Sequence, residues 1–280
     1  MEKKQFNNKK NIIITGGTDG IGLAITKELT KDLHNKVIII GNNEAKGNKV
    51  INDLNLENLS FIKCDLSEKS EIQKLSKKLN ELEKIDVLLN NAGAMFSKRE
   101  TNSENIEKTF ALNHLSYFHL TLYLLKSLEN APNGKVINVA SNAHKRFFLD
   151  LNDLENEKNY NGWKSYCRSK LLNIYFTYNF NKKIKTKVTC NCLHPGFVNS
   201  NFGNNNISFI RFGINVLKNF LAISCEKAAE TPIMLIKEDK FNEVTGKYFF
   251  NKKEIKSSLH SYNHEIKEEV WEKSLKYHNS

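Results

Sequence analysis

The sequence predicts an α/β fold: a single Rossmann-type domain whose parallel sheet of about seven strands is doubly wound, with helices on both faces. Three observations predict it. Short β-branched runs alternate with helical patterns from Asn11 onward, the arrangement that a parallel sheet with crossover helices requires. Runs such as Ile12-Ile13-Ile14 and Val37-Ile38-Ile39-Ile40 are apolar without a break, as strands buried on both faces must be. Finally, the first such run leads straight into Thr15-Gly16-Gly17-Thr18-Asp19-Gly20-Ile21-Gly22, and a helical pattern follows.

Taken in order, strands are expected near 11–15, 36–41, 59–63, 85–90, 135–140, 187–193 and 246–250. Helices are expected near 21–32, 44–54, 68–82, 103–129, 163–183 and 226–238. The glycines between the first strand and first helix let the backbone turn tightly and approach a pyrophosphate, and the helix start offers it free N–H groups. A glycine cluster alone is weak evidence; this position makes it a dinucleotide site. In the helix near 163–183, Tyr166 and Lys170 stand four residues apart and share a face. A free phenol has a pKa of roughly 10, and a neighbouring ammonium lowers it toward the range useful for proton transfer. Taken alone, that spacing is common on amphipathic helices and reads first as a half-buried tyrosine beside a solvated lysine.

At 280 residues, with no Pro/Gly/Ser-rich linker, the chain reads as one large domain. The net charge of +11 is spread along the chain as Lys among Glu and Asn rather than gathered into a stripe, which argues for a solvated surface and against nucleic acid as a partner. The five cysteines contain no Cys-x-x-Cys pair, and no metal site is expected. Residues 1–10 form a polar, basic extension without the apolar core of a secretory signal. No run of 18 or more apolar residues occurs, so the expectation is a cytoplasmic protein, at most peripheral on a membrane. Residues 207–224 are rich in Phe, Ile and Leu among scattered Arg, Lys and Asn; a core helix or an interfacial helix would both read this way. Residues 251–280 form a charged helical tail, with Trp271 and Leu275 available to dock it.

The glycine segment resembles the Thr-Gly-x-x-x-Gly-x-Gly of the short-chain dehydrogenase/reductases, and Asn90-Asn91-Ala92-Gly93 is similar to that family's motif after the fourth strand. Asn113, Ser141, Tyr166 and Lys170 follow in the order of its catalytic four, and Pro195-Gly196 comes after the sixth strand. The resemblance is collinear over roughly 11–250. Ala143-His144-Lys145-Arg146, Asp150-Leu151-Asn152, Tyr166-Cys167-Arg168-Ser169-Lys170-Leu171 and Leu193-His194-Pro195-Gly196 further resemble the retinol-dehydrogenase-like branch, which includes the WW-domain oxidoreductase.

The resemblance implies an NAD(P)-dependent oxidoreductase acting on a lipophilic carbonyl or alcohol, with Tyr166 as acid–base and Ser141 holding the substrate oxygen. It implies that Lys170 lowers the Tyr166 pKa and holds the nicotinamide ribose, and that Asn113 positions a relay water. Cofactor contacts carry over to Gly16, Thr18, Asp19, Gly20, Ile21 and Gly22 at the phosphates, and to Asp65 and Leu66 near the adenine. Asn91, Ala92 and Gly93 are expected beneath the ribose, and Pro195, Gly196, Val198 and Ser200 near the carboxamide. In place of the acid that binds a ribose diol, the second strand ends Gly41-Asn42-Asn43. Asn42, with Lys46 in reach, therefore favours NADP(H), NAD(H) remaining open. The segment 207–224 becomes a substrate lid, with membrane contact the alternative. The two long helices are where many relatives pair, so a homodimer stays open. The rival reading is a cofactor-binding sensor or scaffold with little turnover, since fold does not fix function.

Overall fold

The computed structural model describes residues 9–198 and 223–280. Residues 1–8, Ser200 and all of the expected lid except Ile223 and Ser224 lie outside the described residues. Strands β1 (Lys10–Thr15), β2 (Asn35–Gly41), β3 (Leu59–Lys63), β4 (Val87–Asn90), β5 (Lys135–Val139), β6 (Thr189–Leu193) and β7 (Tyr248–Phe250) run parallel in the order β3-β2-β1-β4-β5-β6-β7. Among the described residues there is an eighth strand beyond the seven expected: β8 (Lys253–Glu254) folds back antiparallel on β7. Its turn is made by Asn251 and Lys252, at φ +47° and +62°. Two consecutive left-handed residues are the backbone of the tight hairpin turn that matches strand twist.

Side chains alternate across the sheet. Ile13, Ile38, Ile40, Leu88 and Val136 meet helices α3 (Lys69–Leu79), α5 (Ser116–Tyr123) and α7 (Gly162–Lys183) on one face. Ile12, Ile14, Val37, Ile39, Leu89 and Ile137 meet α1 (Gly20–Leu29), α2 (Glu44–Leu54) and α8 (Cys225–Lys237) on the other. Both faces being covered is why the strand sequences carry no polar alternation. The last helix, α9 (His264–Asn279), buries Trp271 against Phe118 of α5 and Phe176 of α7.

The helix expected over 103–129 is broken. Asn105 takes φ +62°, and Asn102 Oδ1 accepts from the amides of Glu104 and Ile106, so the helix starts only at α4 (Lys108–Phe110). It then widens into a π turn over Ala111–Leu115, resumes as α5, and restarts at Leu125–Glu129, here α6. A one-residue excess in a helical turn shifts the facing side chains and is common at functional sites.

The chain passes from β1 outward to β2 and β3, then returns to place β4 on the other side of β1. That reversal opens a crevice at the carboxyl ends of β1 and β4, where ligands of such sheets bind. No described helix is long and apolar enough to cross a membrane.

Candidate active site

The glycine turn lies at the carboxyl end of β1, in that crevice. Gly16 and Gly20 have φ +68° and +53°, values a side chain resists. A β-carbon on Gly22 would stand 2.0 Å from the Gly16 carbonyl oxygen, so the helix start packs against its own turn only without one. The early amides of α1, Ile21 and Gly22 among them, have no intrahelical acceptor and lie on a turn in which Gly16, Gly17, Gly20 and Gly22 carry no side chain. These residues fit a dinucleotide pyrophosphate.

Asp19 modifies the fit. Its carboxylate caps α1 by accepting from Gly20 N at 2.7 Å, and its other oxygen pairs with Lys46 Nζ at 2.9 Å. Lys46, expected near the 2′-phosphate, is therefore engaged by a carboxylate across the turn. Asn42 is exposed between β2 and α2, and Thr18 Oγ1 lies 3.3 Å from where a β-carbon on Gly41 would stand. Asp65 closes the turn into α3, with Oδ1 accepting from Ser67 N (2.9 Å) and Ser67 Oγ (2.7 Å), while Leu66 is buried in the core.

Asn91 braces the glycine turn: its Nδ2 donates to Thr15 O at 2.9 Å and Gly16 O at 3.2 Å. Thr15 Oγ1 accepts from the amides of Asn91 and Ala92. Gly93 brings this loop against the catalytic candidates, since a β-carbon there would lie 3.1 Å from Asn113 Oδ1 and 3.3 Å from Lys170 Nζ. Asn113 is fully buried in the π turn, and its side chain is consumed. Oδ1 accepts from Ala94 N (2.8 Å), and Nδ2 donates to Ala94 O (2.8 Å) and Ser169 Oγ (3.0 Å). Its backbone carbonyl accepts from Asn173 Nδ2 at 2.8 Å.

Ser141 leaves the end of β5 and caps a short 3-10 turn, its Oγ accepting from Ala143 N at 3.2 Å. It also hydrogen-bonds the half-buried Tyr166 phenol. Lys170 is 3% exposed; its Nζ donates to Val139 O at 3.0 Å and lies 5.7 Å from the Tyr166 ring centroid. Ser141, Tyr166, Lys170, Asn113 and Gly93 thus converge at the carboxyl ends of β4 and β5.

The expected lowering of the Tyr166 pKa by Lys170 is not what these surroundings give. Burial pushes the phenol up to about 12, with the Ser141 hydrogen bond pulling it back in part. Burial likewise pushes Lys170 down to about 7. Lys170 is withdrawn from water and the Tyr166 phenol partly so, and desolvation disfavours each charged form. The spacing set the shared helix face correctly but carried no information on depth.

Past β6, Gly196 has φ +96°, and a β-carbon there would lie 2.9 Å from Ile223. Val198 bridges Ile223, and Pro195 precedes this turn. Several contributors were not singled out from sequence. Glu107, with no exposed surface, accepts from Thr109 N, Phe110 N, Tyr160 Oη and Ser165 Oγ, joining α4 to the start of α7. Tyr117 lays its ring beside Lys170 Nζ (5.5 Å) and donates to Ala92 O at 2.9 Å. A lone acid within an amphipathic pattern and a tyrosine in an apolar run give no local signal of either role.

The sheet order, the glycine turn at the switch point and the serine–tyrosine–lysine convergence define a nicotinamide-dependent oxidoreductase class. The chain belongs to the short chain dehydrogenase family, whose sequence model matches residues 10–209. It is similar to human polyprenol dehydrogenase, 32% identical over 94% of this chain and 83% of that protein. It is also similar to human retinol dehydrogenase 13, 29% identical over 95% of this chain and 84% of that protein. Among solved structures, a putative uncharacterized protein from Mycobacterium paratuberculosis superposes with a TM-score of 0.78 at 21% identity, covering 97% of this chain and 94% of that one. The Pseudomonas aeruginosa RhlG/NADP active-site complex has a TM-score of 0.67 at 21% identity, covering 85% and 93%. These two likenesses are of fold.

Proposed function

We propose that the chain is an NADP(H)-favouring oxidoreductase that interconverts a long lipophilic alcohol and its carbonyl, with Tyr166 as the acid–base. The observation that carries this reading is the hydrogen-bonded Ser141–Tyr166 pair with buried Lys170 near the Tyr166 ring, the lysine itself lying against Gly93. A nicotinamide dinucleotide, when bound, supplies or takes up the hydride. Gly16, Gly20, Ile21 and Gly22 would hold its phosphates, with Thr18 and Asp19 at the same turn, Asp65 and Leu66 toward the adenine, and Asn42 with Lys46 toward the 2′-phosphate. Ala92, Gly93 and Lys170 would face the nicotinamide ribose, with Pro195, Gly196, Val198 and Ser200 toward the carboxamide.

In the reducing direction the substrate oxygen gains negative charge and must gain a proton. Tyr166 donates it, and in the oxidising direction takes it back. Ser141 Oγ holds the same oxygen on line, where a fixed donor acts most strongly as charge develops. A charged Lys170 favours the phenolate, so each time Tyr166 gives up its proton the lysine gains by being protonated. Asn113 holds the Ala94 backbone, and with it the floor beneath Gly93. Its side chain being fully engaged, any relay through this residue runs by its backbone carbonyl.

The lipophilic substrate class is supported by Trp163, which stacks on Tyr166 (centroids 5.7 Å, interplanar angle 22°) and is 46% exposed. An indole wall beside the phenol favours an apolar chain over a charged one. The relatives named for polyprenol and retinol point to the same class, an isoprenoid alcohol or its aldehyde.

The test is a parallel titration with NADPH and NADH by cofactor fluorescence, followed by turnover on isoprenoid aldehydes and alcohols with wild type and Tyr166→Phe. NADPH is expected to bind more tightly. Tyr166→Phe should lower kcat by about 10²- to 10⁴-fold, the usual reach of acid–base catalysis, with cofactor binding retained. Unchanged turnover in the variant overturns the assignment of Tyr166. Cofactor binding without turnover on any member of the panel favours the sensor reading instead.

A further inference from the structure

We propose that His144 is a positioning residue: as a neutral imidazole it ties Ser141 to the C-terminal segment 257–262, closing a clamp that holds the serine in register with Tyr166. The inference rests on the reading of Ser141 and Tyr166 as the reacting pair.

The ladder to β6 makes its last bond through the Ala140 amide, to Leu193 O at 2.8 Å, so Ser141 stands one residue beyond it, extended, at the cap of the 3-10 turn whose His144 amide donates to its carbonyl at 3.2 Å. His144, three residues on and with no exposed surface, supplies the hold. Its Nδ1 lies 2.7 Å from the Ser141 carbonyl oxygen, and its Nε2 lies 3.0 Å from the Ser258 amide nitrogen. A carbonyl can only accept, so Nδ1 carries the hydrogen; a backbone amide can only donate, so Nε2 is bare. The two partners together allow one tautomer and exclude the cation, which would set two N–H groups against each other at Nε2. The other neighbours agree. Tyr248 packs edge-on at 5.4 Å with its hydroxyl 3.5 Å from Nδ1, where it can accept from the same N–H; His260 Nε2 lies 3.3 Å from the His144 carbonyl, and Lys145 and His194 are the remaining titratable groups around the ring. None supplies a negative charge.

The far end of the clamp returns to the catalytic helix. Tyr178, on α7 with Tyr166 and Lys170, bonds Ser257 Oγ at 2.6 Å, and Ser257 Oγ bonds Ser261 Oγ at 2.6 Å. Ser261 Oγ in turn donates to Ser258 O at 2.6 Å. A closed ring of contacts therefore runs from Tyr166 along α7 to Tyr178, through residues 257–261 to His144, and back through Ser141 to Tyr166. Such a ring fixes the serine–tyrosine separation from a side that neither substrate nor cofactor need occupy. Loss of a fixed geometry of this kind costs turnover more than binding.

The decisive variant is Ser258→Pro. Ser258 already has φ −68° and ψ 150°, a conformation proline adopts freely, so the change deletes the N–H that faces His144 Nε2 and the minor Ser258 Oγ contact to His260. Imidazole ¹⁵N spectra of the labelled wild type are expected to show a protonated Nδ1 and a bare Nε2 from about pH 8 to pH 5. In Ser258→Pro the ring should titrate at higher pH. Its kcat should fall about tenfold or more, and fall further as the ring gains a proton, with KM and cofactor binding little changed. His144→Phe should lose at least as much, and His144→Gln, which keeps a donor and an acceptor, should recover part of it. A wild-type ring protonated at Nε2 overturns the proposal, as does full kcat in both Ser258→Pro and His144→Phe. If the wild type binds cofactor and never turns over, the functional reading has failed on its own. The clamp is then decided by the Tyr166 phenol titration, followed by ¹³C on labelled tyrosine: it should move in Ser258→Pro, and an unmoved titration overturns the clamp.

Discussion

Lys170 is a cation-forming group with 3% exposure whose Nζ donates to a backbone carbonyl, Val139 O. Burial lowers its pKa from 10.5 to about 7. Between those values the unfolded chain holds a proton that the folded chain has released, so stability rises with pH across about pH 7 to 10.5 and the gain is absent below it. Lys135, lowered by burial to about 8, contributes with the same sign, while Tyr166, raised to about 12, opposes only above about pH 10. The comparison that isolates Lys170 is therefore wild type against Lys170→Met, by urea unfolding of the cofactor-free protein at about pH 7, 8 and 9. Wild type should gain on the variant by up to about 1.4 kcal/mol per pH unit; parallel stability curves would exclude a buried, neutralised lysine. At this scale the sequence was legible where geometry is local. The glycines at positive φ and the i, i+4 face of Tyr166 and Lys170 are set by a few neighbouring residues. Depth is not local: that Lys170 lies under Tyr117, and that Asp19 engages Lys46 from 27 positions away, depends on how distant segments pack.

Among the elements, the helix expected over 103–129 shows most clearly what periodicity misses. Its apolar spacing is helical throughout, yet Asn105 turns left-handed and the helix begins only when Glu107 caps it. The π turn that follows brings Asn113 against Ala94 and Ser169; a bulge of this kind leaves no mark in a pattern of hydrophobic residues. Glu107 joins this element to the next. Its two oxygens accept from Thr109 N and Phe110 N at 2.8 Å each, from Ser165 Oγ at 3.0 Å and from Tyr160 Oη at 3.1 Å. Glu107→Gln replaces one acceptor oxygen by an NH₂ that confronts these donors, and should cost about 1–3 kcal/mol; Glu107→Ala, which leaves them all unpaired, should cost about 3–5 kcal/mol. Urea unfolding should show the midpoint falling in that order with an unchanged slope. Equal stabilities for wild type and Glu107→Gln would mean that the carboxylate is not a junction between α4 and α7. The strands were easier to read, because a strand buried on both faces announces itself by an unbroken apolar run, and β1 and β2 do so. The short β8 does not: its pairing is set by the Asn251–Lys252 turn, in a polar stretch with no alternation.

For the whole molecule, the succession of strands and helices was enough to give the sheet, because parallel strands with right-handed crossovers leave few orders open. The closing of the molecule by α9 depends on histidines instead. His114 bonds Ser274 at 2.8 Å and Asn173 at 3.2 Å, and His119 Nδ1 meets His278 Nδ1 at 3.0 Å, a contact that holds a single shared proton. Burial pushes His114 down to about 4 and His119 to about 3, with the charge of His278 and Lys69 lowering His119 further, and it lowers His278 too. His144 and His194, on the opposite side of α7, are each pushed down to about 4, again chiefly by burial. For each, the unfolded chain takes up a proton near pH 6.5 that the folded chain still refuses; His114, His144 and His194 hold out to about pH 4 and His119 to about pH 3. Stability is thus intact above about pH 6.5 and falls as pH falls through that window, by up to about 1.4 kcal/mol per unit for every histidine that stays neutral. Several acting together should make the fold acid-labile above the range where ordinary carboxylates titrate. Two of them, His114 and His119, face α9 and a third, His278, stands on it, so that helix should leave first. In a Trp163→Phe background, Trp271 fluorescence should shift to the red between about pH 6.5 and 4.5 before far-UV helicity is lost elsewhere. His119→Phe, which removes one member of the pair and keeps the ring, should delay the shift. A denaturation midpoint that stays level from about pH 7 to pH 5 would show that these histidines do not seal α9, since a buried neutral imidazole cannot remain indifferent to acid while its unfolded counterpart binds a proton.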